Sequence, residues 1–326
     1  MQRVPGAHPL PSPPLKGEGA SDLLGRGVSS PMPPSPPRLA IVTGAGSGLG
    51  REFCRQLARA GGWHLVAVDV ELADAEQTIA EVRQLGAAGE AVAMDVTDAA
   101  GWTALRERLQ RDCPRLDLLV NNAGVCMSAE VGDGDLAEWR RVIEVNYLGL
   151  LAGCHVMTPW LKASATASTG ASTRNSRLAT RNSPAIINIA SITAYLPAPA
   201  MGAYASSKAA VVALTEAMYA ELRPHGVHVT VVAPGFFRTR LLERGTFTLR
   251  RHRAQAEYLT RTAKIDAASV ARAALAASAH GRLYAITGRR ARWLWRIKRL
   301  APRILFRVIA RRYQRIIIRG DVDGVG

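Results

Sequence analysis

Apolar residues in this chain fall into short dense runs, separated by longer stretches in which they recur every three or four positions. The runs cover residues 39–43, 64–69, 91–96, 116–120, 185–190, 227–232 and 283–287. Each is strand-length and apolar almost throughout, as a strand covered on both faces must be. The stretches between them carry the helical period: Phe53 and Leu57, residues 75–85 up to Gly86, Leu105 and Leu109 behind the capping residues Thr97 and Asp98, then 136–161, 203–222 and 267–278. Strand alternating with helix predicts an α/β fold: a doubly wound parallel sheet of about seven strands with right-handed crossovers.

Four segments break that rhythm. Residues 1–37 contain ten prolines among Gly and Ser, too little apolar surface to order a chain, so a disordered leader is expected there. Residues 163–184 are rich in Ser, Thr, Ala and Asn, with Arg174, Arg177 and Arg181, and are expected to be an inserted mobile loop. Residues 241–262 are basic and only weakly periodic. Beyond the last strand, residues 289–326 form a basic amphipathic tail. The expected organisation is leader 1–37, one domain 38–288 holding the insertion, and the tail.

In a doubly wound sheet, ligands bind outside the carboxyl ends of the strands, and the chemically distinctive residues collect there. The first run leads into GAGSGLG at residues 44–50 and then a helix. Glycines let such a turn approach a pyrophosphate closely, against the partial positive charge of the helix N-terminus. The second run ends in Asp69, nineteen residues after Gly50, where a carboxylate would accept hydrogen bonds from an adenosine ribose. Asp95, residues 121–124 (NNAG), Ser191 and Pro234-Gly235 close later runs. Tyr204 and Lys208 stand four apart on a helix, hence on one face. A neighbouring ammonium would lower the phenol's pKa and make it a usable acid/base.

Taken together, these residues resemble the short-chain dehydrogenase/reductase family over about 38–239, more weakly to 287. TGxxxGxG is residues 43–50, NNAG 121–124, YxxxK 204–208 with its Ser191, the helix asparagine Asn146, and PGxxxT 234–239. The resemblance implies a Rossmann-type sheet bearing a catalytic tetrad. Tyr204 would exchange a proton with the substrate oxygen, Lys208 would lower its pKa and hold the nicotinamide ribose, Ser191 would bond the substrate oxygen, and Asn146 would keep a relay water. The implied cofactor contacts are Gly44, Ser47, Gly48, Leu49, Gly50, Asp69, Asp95, Val96, Asn122, Ala123, Gly124, Tyr204, Lys208, Pro234, Gly235, Phe237 and Thr239. The acid at Asp69 favours NAD over NADP, with Arg51 as the residue that could reach a 2′-phosphate. The expected substrate is a small hydrophobic alcohol or carbonyl compound in a pocket of Cys126, Met127, Ile192, Tyr195, Phe236 and Phe237, and a homo-oligomer is expected. The alternative is a non-catalytic nucleotide-binding scaffold docked to a membrane by its basic tail; an intact Tyr204 and Lys208 argue against it.

Charge adds one thing to this picture. The formal net charge is +16, and residues 281–320 hold thirteen Arg or Lys and no Asp or Glu. On a helical projection Arg292, Arg296, Arg299, Arg303 and Arg307 form a stripe opposite Leu294, Ile297, Ala301, Ile304, Leu305 and Val308, with Pro302 dividing the tail into two helices. That pattern suits a helix pair lying on an anionic membrane surface through residues 289–319. The alternative is a helix packed on its own domain or a partner subunit, and a nucleic-acid arm is disfavoured by the continuous apolar face. Cys54, Cys113, Cys126 and Cys154 form no CxxC pair, and His spacing offers no metal site. With no run apolar enough to span a bilayer, a cytoplasmic protein is expected, peripheral on the inner membrane face.

Overall fold

The computed structural model describes residues 37–168, 183–237, 240–243 and 245–322. The expected leader (apart from Pro37), residues 169–182 of the insertion, and Thr239 lie outside them.

Seven strands form one parallel sheet: β1 (Arg38–Thr43), β2 (Trp63–Asp69), β3 (Ala88–Ala93), β4 (Leu118–Asn121), β6 (Ala185–Ile189), β7 (His228–Pro234) and β9 (Tyr284–Thr287), in the order β3-β2-β1-β4-β6-β7-β9. The strand order reverses between β1 and β4, which is where a doubly wound sheet opens its crevice. Two more strands, β5 (Met127–Ser128) and β8 (Thr246–Phe247), pair with each other beside it. The third strand ends before residues 94–96, three residues earlier than the apolar run suggests, so Met94, Asp95 and Val96 fall on the loop over the sheet's carboxyl edge.

The helices are α1 (Gly48–Ala60), α2 (Leu72–Gln84), α3 (Ala99–Asp112), α4 (Leu136–Ile143), α5 (Gly149–Ser168), α6 (Gly202–Leu222), α7 (Arg250–Arg261), α8 (Ala267–Ala279), α9 (Arg289–Leu300) and α10 (Pro302–Val322). α1 buries Leu49, Phe53 and Leu57, one per turn, in a core shared with α2, α8 and one sheet face. α3, α5 and α6 cover the other face around Trp102, Met157, Leu161 and Val211. Burying about seventy apolar Å² of each such side chain at roughly 25 cal/mol per Å² is worth near 2 kcal/mol apiece, which is why tertiary packing rather than propensity fixes these helices.

Register aligns the strand ends. Thr43 stands opposite Val68, Val42 opposite Val120, and Asn121 opposite Asn188, so the loops after β1, β2, β4 and β6 meet along one edge. Two stretches fold otherwise than the pattern suggests. The single helix expected over 136–161 is α4 and α5 joined by one π-helical turn at Glu144–Leu148, with Asn146 inside it. Residues 163–168 of the expected insertion complete α5, where the Ser164 hydroxyl accepts a hydrogen bond from the Leu116 amide at 2.9 Å.

Candidate active site

The loop after β1 turns on Gly44 at φ +60°, a conformation glycine adopts without a Cβ penalty. Gly50 lies beneath it, so close that a Cβ there would sit 2.1 Å from the Gly44 carbonyl oxygen. The loop is braced from two sides. Asp69 Oδ2 accepts the Gly46 amide at 2.8 Å, while the Asn122 side-chain amide donates to the carbonyls of Thr43 (2.9 Å) and Gly44 (3.1 Å). The Thr43 hydroxyl accepts the Asn122 and Ala123 amides at 3.0 and 3.1 Å. The glycine turn and the NNAG segment are thus one hydrogen-bonded unit. Asn121 takes a different part: buried, it donates to Asn188 Oδ1 at 2.9 Å and ties β4 to β6.

This unit walls a cavity of about 910 Å³ along the carboxyl edge. Gly44, Ser47, Gly48, Leu49, Asp69, Asp95, Val96, Asn122, Ala123, Gly124, Tyr204, Lys208, Pro234, Gly235 and Phe237 line it, whereas Gly50 supports the turn from behind. Ser47 makes no side-chain cap to α1, so no cap competes for the orphan amides at that N-terminus. A close-approach glycine turn, an open helix N-terminus and a carboxylate at the end of β2 together fit an adenine dinucleotide.

Tyr204 and Lys208 project from the first turns of α6 into the middle of the cavity. Both are buried, and the Lys208 Nζ lies 5.9 Å from the centre of the Tyr204 ring. Nζ donates to the Ile189 carbonyl at 2.8 Å, so the end of β6 aims it. The Ser191 hydroxyl accepts the Thr193 amide at 3.2 Å, capping a short 3-10 turn, and faces the same cavity as the Tyr204 phenol. Burial pushes the Tyr204 phenol above its ordinary value, with Cys126 adding to the rise and Ser191 opposing it. That is opposite to the fall expected from the lysine, because in this closed pocket desolvation is the largest influence on the phenol, and the same burial drives the lysine toward its neutral form. Burial likewise lowers Lys208 to about 8 and raises the Cys126 thiol to about 12.

Asn146 has no exposure, and its side chain is fully engaged. Its Oδ1 accepts the Val125 amide at 2.8 Å; its Nδ2 donates to the Val125 carbonyl and to Ser207 Oγ, both at 3.0 Å. The asparagine locks the segment after NNAG to α6, one residue from Lys208.

At the substrate end, Cys126, Ile192, Phe236 and Phe237 line the cavity as expected. Met127 and Tyr195 do not. Met127 packs in a small core with Ala129, Val142 and Ala203, since β5 turns it inward, and Tyr195 meets Trp295 edge-on at 6.3 Å. Sequence reasoning missed Leu242, Phe247 and His252 from the segment before and along α7, and Ile309, Arg312 and Tyr313 from α10. Tyr313 donates to Glu130 Oε1 at 2.5 Å and lies 3.4 Å from His252 Nε2, fastening α10 across the cavity mouth. The amphipathic period of 302–313 was the available signal for a packed helix, but not for what it covers.

Fold and cavity define a class first: a doubly wound α/β protein with a dinucleotide-sized cleft and a buried tyrosine–lysine pair facing it. The pattern of the family described as short chain dehydrogenase matches residues 38–246, and the chain belongs to that family. It is 32% identical over 205 residues to probable oxidoreductase EphD of Mycobacterium tuberculosis, covering 63% of this chain but only 32% of that protein, so the chain spans about a third of that relative's length. Cyclopentanol dehydrogenase of Comamonas testosteroni is 32% identical over 204 residues, 62% of this chain and 74% of that one. Among solved structures, a short chain dehydrogenase/reductase from Burkholderia phymatum in complex with NAD superposes with a TM-score of 0.71 at 28% identity, over 82% of this chain and 95% of that one.

Proposed function

We propose that the chain is an NAD(P)-dependent oxidoreductase interconverting a hydrophobic secondary alcohol and its ketone, or an aldehyde, with Tyr204 as the acid/base. The carrying observation is the buried Tyr204–Lys208 pair with Ser191 beside it, all three facing a cavity whose other half fits a dinucleotide. The bound nicotinamide supplies the hydride chemistry; the protein's residues hold the substrate oxygen and move one proton. In the reducing direction the Tyr204 hydroxyl gives its proton to the carbonyl oxygen, with the Ser191 hydroxyl as second contact. In the oxidising direction the phenolate takes the alcohol proton. Its charge is supported by Lys208, whose ammonium keeps donors free beyond the one given to Ile189.

NAD is the favoured cofactor. Asp69 lines the cavity with its charge unneutralised by any ion pair among the described residues, and it would repel a 2′-phosphate. Arg51, the residue that could favour NADP, is already held by Thr78, Gln77, the Gly46 and Asp74 carbonyls, and an ion pair to Glu81 at 3.5 Å. Apolar lining from Ile192, Phe236, Leu242 and Phe247 supports a lipophilic substrate. Such a substrate resides in the bilayer as readily as in solution, and the inner membrane face is the location that suits it. Screening a panel of lipophilic alcohols with NAD, by the absorbance of the reduced cofactor, tests the reading. A scaffold would bind NAD and turn over none of them.

A further inference from the structure

The two tail helices have an inner and an outer side. Inward, Ala291 is buried, Trp295 meets the rings of Tyr195 and Tyr284, and Leu305, Phe306, Ile309 and Tyr313 are half-buried. Four of the six residues of the apolar stripe read from the sequence, Leu294, Ile297, Ala301 and Leu305, are thereby half-buried instead of free for a membrane. Outward, the other two residues of that stripe stand in solvent with Trp293 and Leu300: Trp293 is 63% exposed, Leu300 86%, Ile304 64% and Val308 47%. Ile304, Val308, Arg311 and Arg315 follow one line along α10, at spacings of four, three and four, with Arg303 and Arg307 beside it.

We propose that this outer surface of α9 and α10 docks on an anionic lipid bilayer. Four large exposed side chains on two adjoining helices exceed the scatter of single apolar residues on ordinary surfaces. They are set among Arg292, Arg296, Arg299, Arg303, Arg307 and Arg311, all exposed, with no acidic residue between positions 281 and 320. That charge decides among occupants. A second copy would bring the same arginines against one another, whereas anionic headgroups neutralise them while the apolar tips enter the headgroup layer. A nucleic acid would neutralise the arginines but leave Trp293, Leu300, Ile304 and Val308 with nothing to cover them. Because Ile309 and Tyr313 on the inner side of α10 line the cavity mouth, docking sets that mouth at the lipid surface. The docking itself does not depend on the reaction catalysed.

The test is flotation of the full chain with vesicles of phosphatidylcholine plus phosphatidylglycerol, against phosphatidylcholine alone. Partition to the anionic vesicles is expected to exceed that to the neutral ones at least tenfold, and to fall at least tenfold from about 0.1 to 0.5 M salt. The combined variant W293S/L300S/I304S/V308S changes only exposed side chains. It should keep its melting temperature and its NADH binding, and lose vesicle partition by at least tenfold. Equal partition to both vesicle types, or unchanged partition of the variant, overturns the proposal. So does concentration-dependent self-association that the variant abolishes in the absence of lipid, or displacement from anionic vesicles by duplex DNA at equal charge.

Discussion

Asp69→Asn isolates the charge that sets cofactor choice. Asp69 is buried and accepts two backbone amides, from Gly46 at 2.8 Å and Glu71 at 3.2 Å. Asparagine keeps one acceptor for this bracing and removes the charge. A 2′-phosphate carries up to about two negative charges; at roughly 6 Å and an effective dielectric of 20–40, repulsion from a carboxylate comes to about 3–5 kcal/mol. Salt and side-chain relaxation reduce this to roughly 1–3 kcal/mol, a preference for NAD of about tenfold to a hundredfold. The assay is paired fluorescence titration of NADH and NADPH. Wild type is expected to prefer NADH by that margin, and Asp69→Asn to bring the two within about a factor of three with NADH affinity little changed. Asp69→Ala, which also releases the glycine turn, should weaken both. The reasoning fails if wild type prefers NADPH, or if Asp69→Asn leaves the ratio where it was.

Other consequences are as direct. Gly50→Ala places a Cβ 2.1 Å from the Gly44 carbonyl oxygen, so the turn must shift; a destabilisation of about 1–3 kcal/mol and loss of NADH binding are expected by thermal melting and titration. Lys208, at about 8 against 10.5 for an ordinary lysine, binds its proton more weakly folded than unfolded. The contribution of Lys208 to cofactor-free stability should therefore rise between pH 8 and 10.5, by roughly 3 kcal/mol, because there the unfolded chain holds that proton and the folded one does not; the buried thiols raised to about 12 act in the opposite sense in wild type and variant alike, so the rise is read from the difference between the two. In melts across that range Lys208→Met should lack this rise; parallel curves for the two proteins would count against it. Ile309→Trp narrows the cavity mouth, so KM should rise for bulky alcohols and stay level for short ones; an equal effect on both would remove α10 from the substrate's path.

The central strands were legible because a parallel strand covered on both faces has to be apolar almost throughout, and turn residues close each such run; the run at 209–214 is as apolar but continues a helical period within α6. The cofactor half of the cavity was legible for a related reason: glycine turn, Asp69 and NNAG each close a strand, and register brings strand ends together. Local spacing also sufficed for Tyr204 and Lys208, four apart on α6. It could not give the direction of the tyrosine's shift, which depends on burial contributed by residues far along the chain. α7 was missed because its arginines and polar residues leave too weak an apolar stripe. The π-turn around Asn146 was illegible because one extra residue hardly disturbs a helical period. In the tail the break at Pro302 was read correctly. The assignment of faces was not, since periodicity tells which residues share a face but not what that face meets: Leu305 turned to the body, while Ile304 beside it did not.

The central claim is that Tyr204 exchanges the proton in a nicotinamide-dependent reaction. Tyr204→Phe keeps the buried ring and removes only its hydroxyl. Measured together on this variant, NADH affinity should stay within about threefold of wild type, while turnover of the best alcohol in the panel falls by at least about a thousandfold, within the span a positioned acid/base contributes. A Tyr204→Phe protein that still binds NADH and retains most of its turnover would contradict the account.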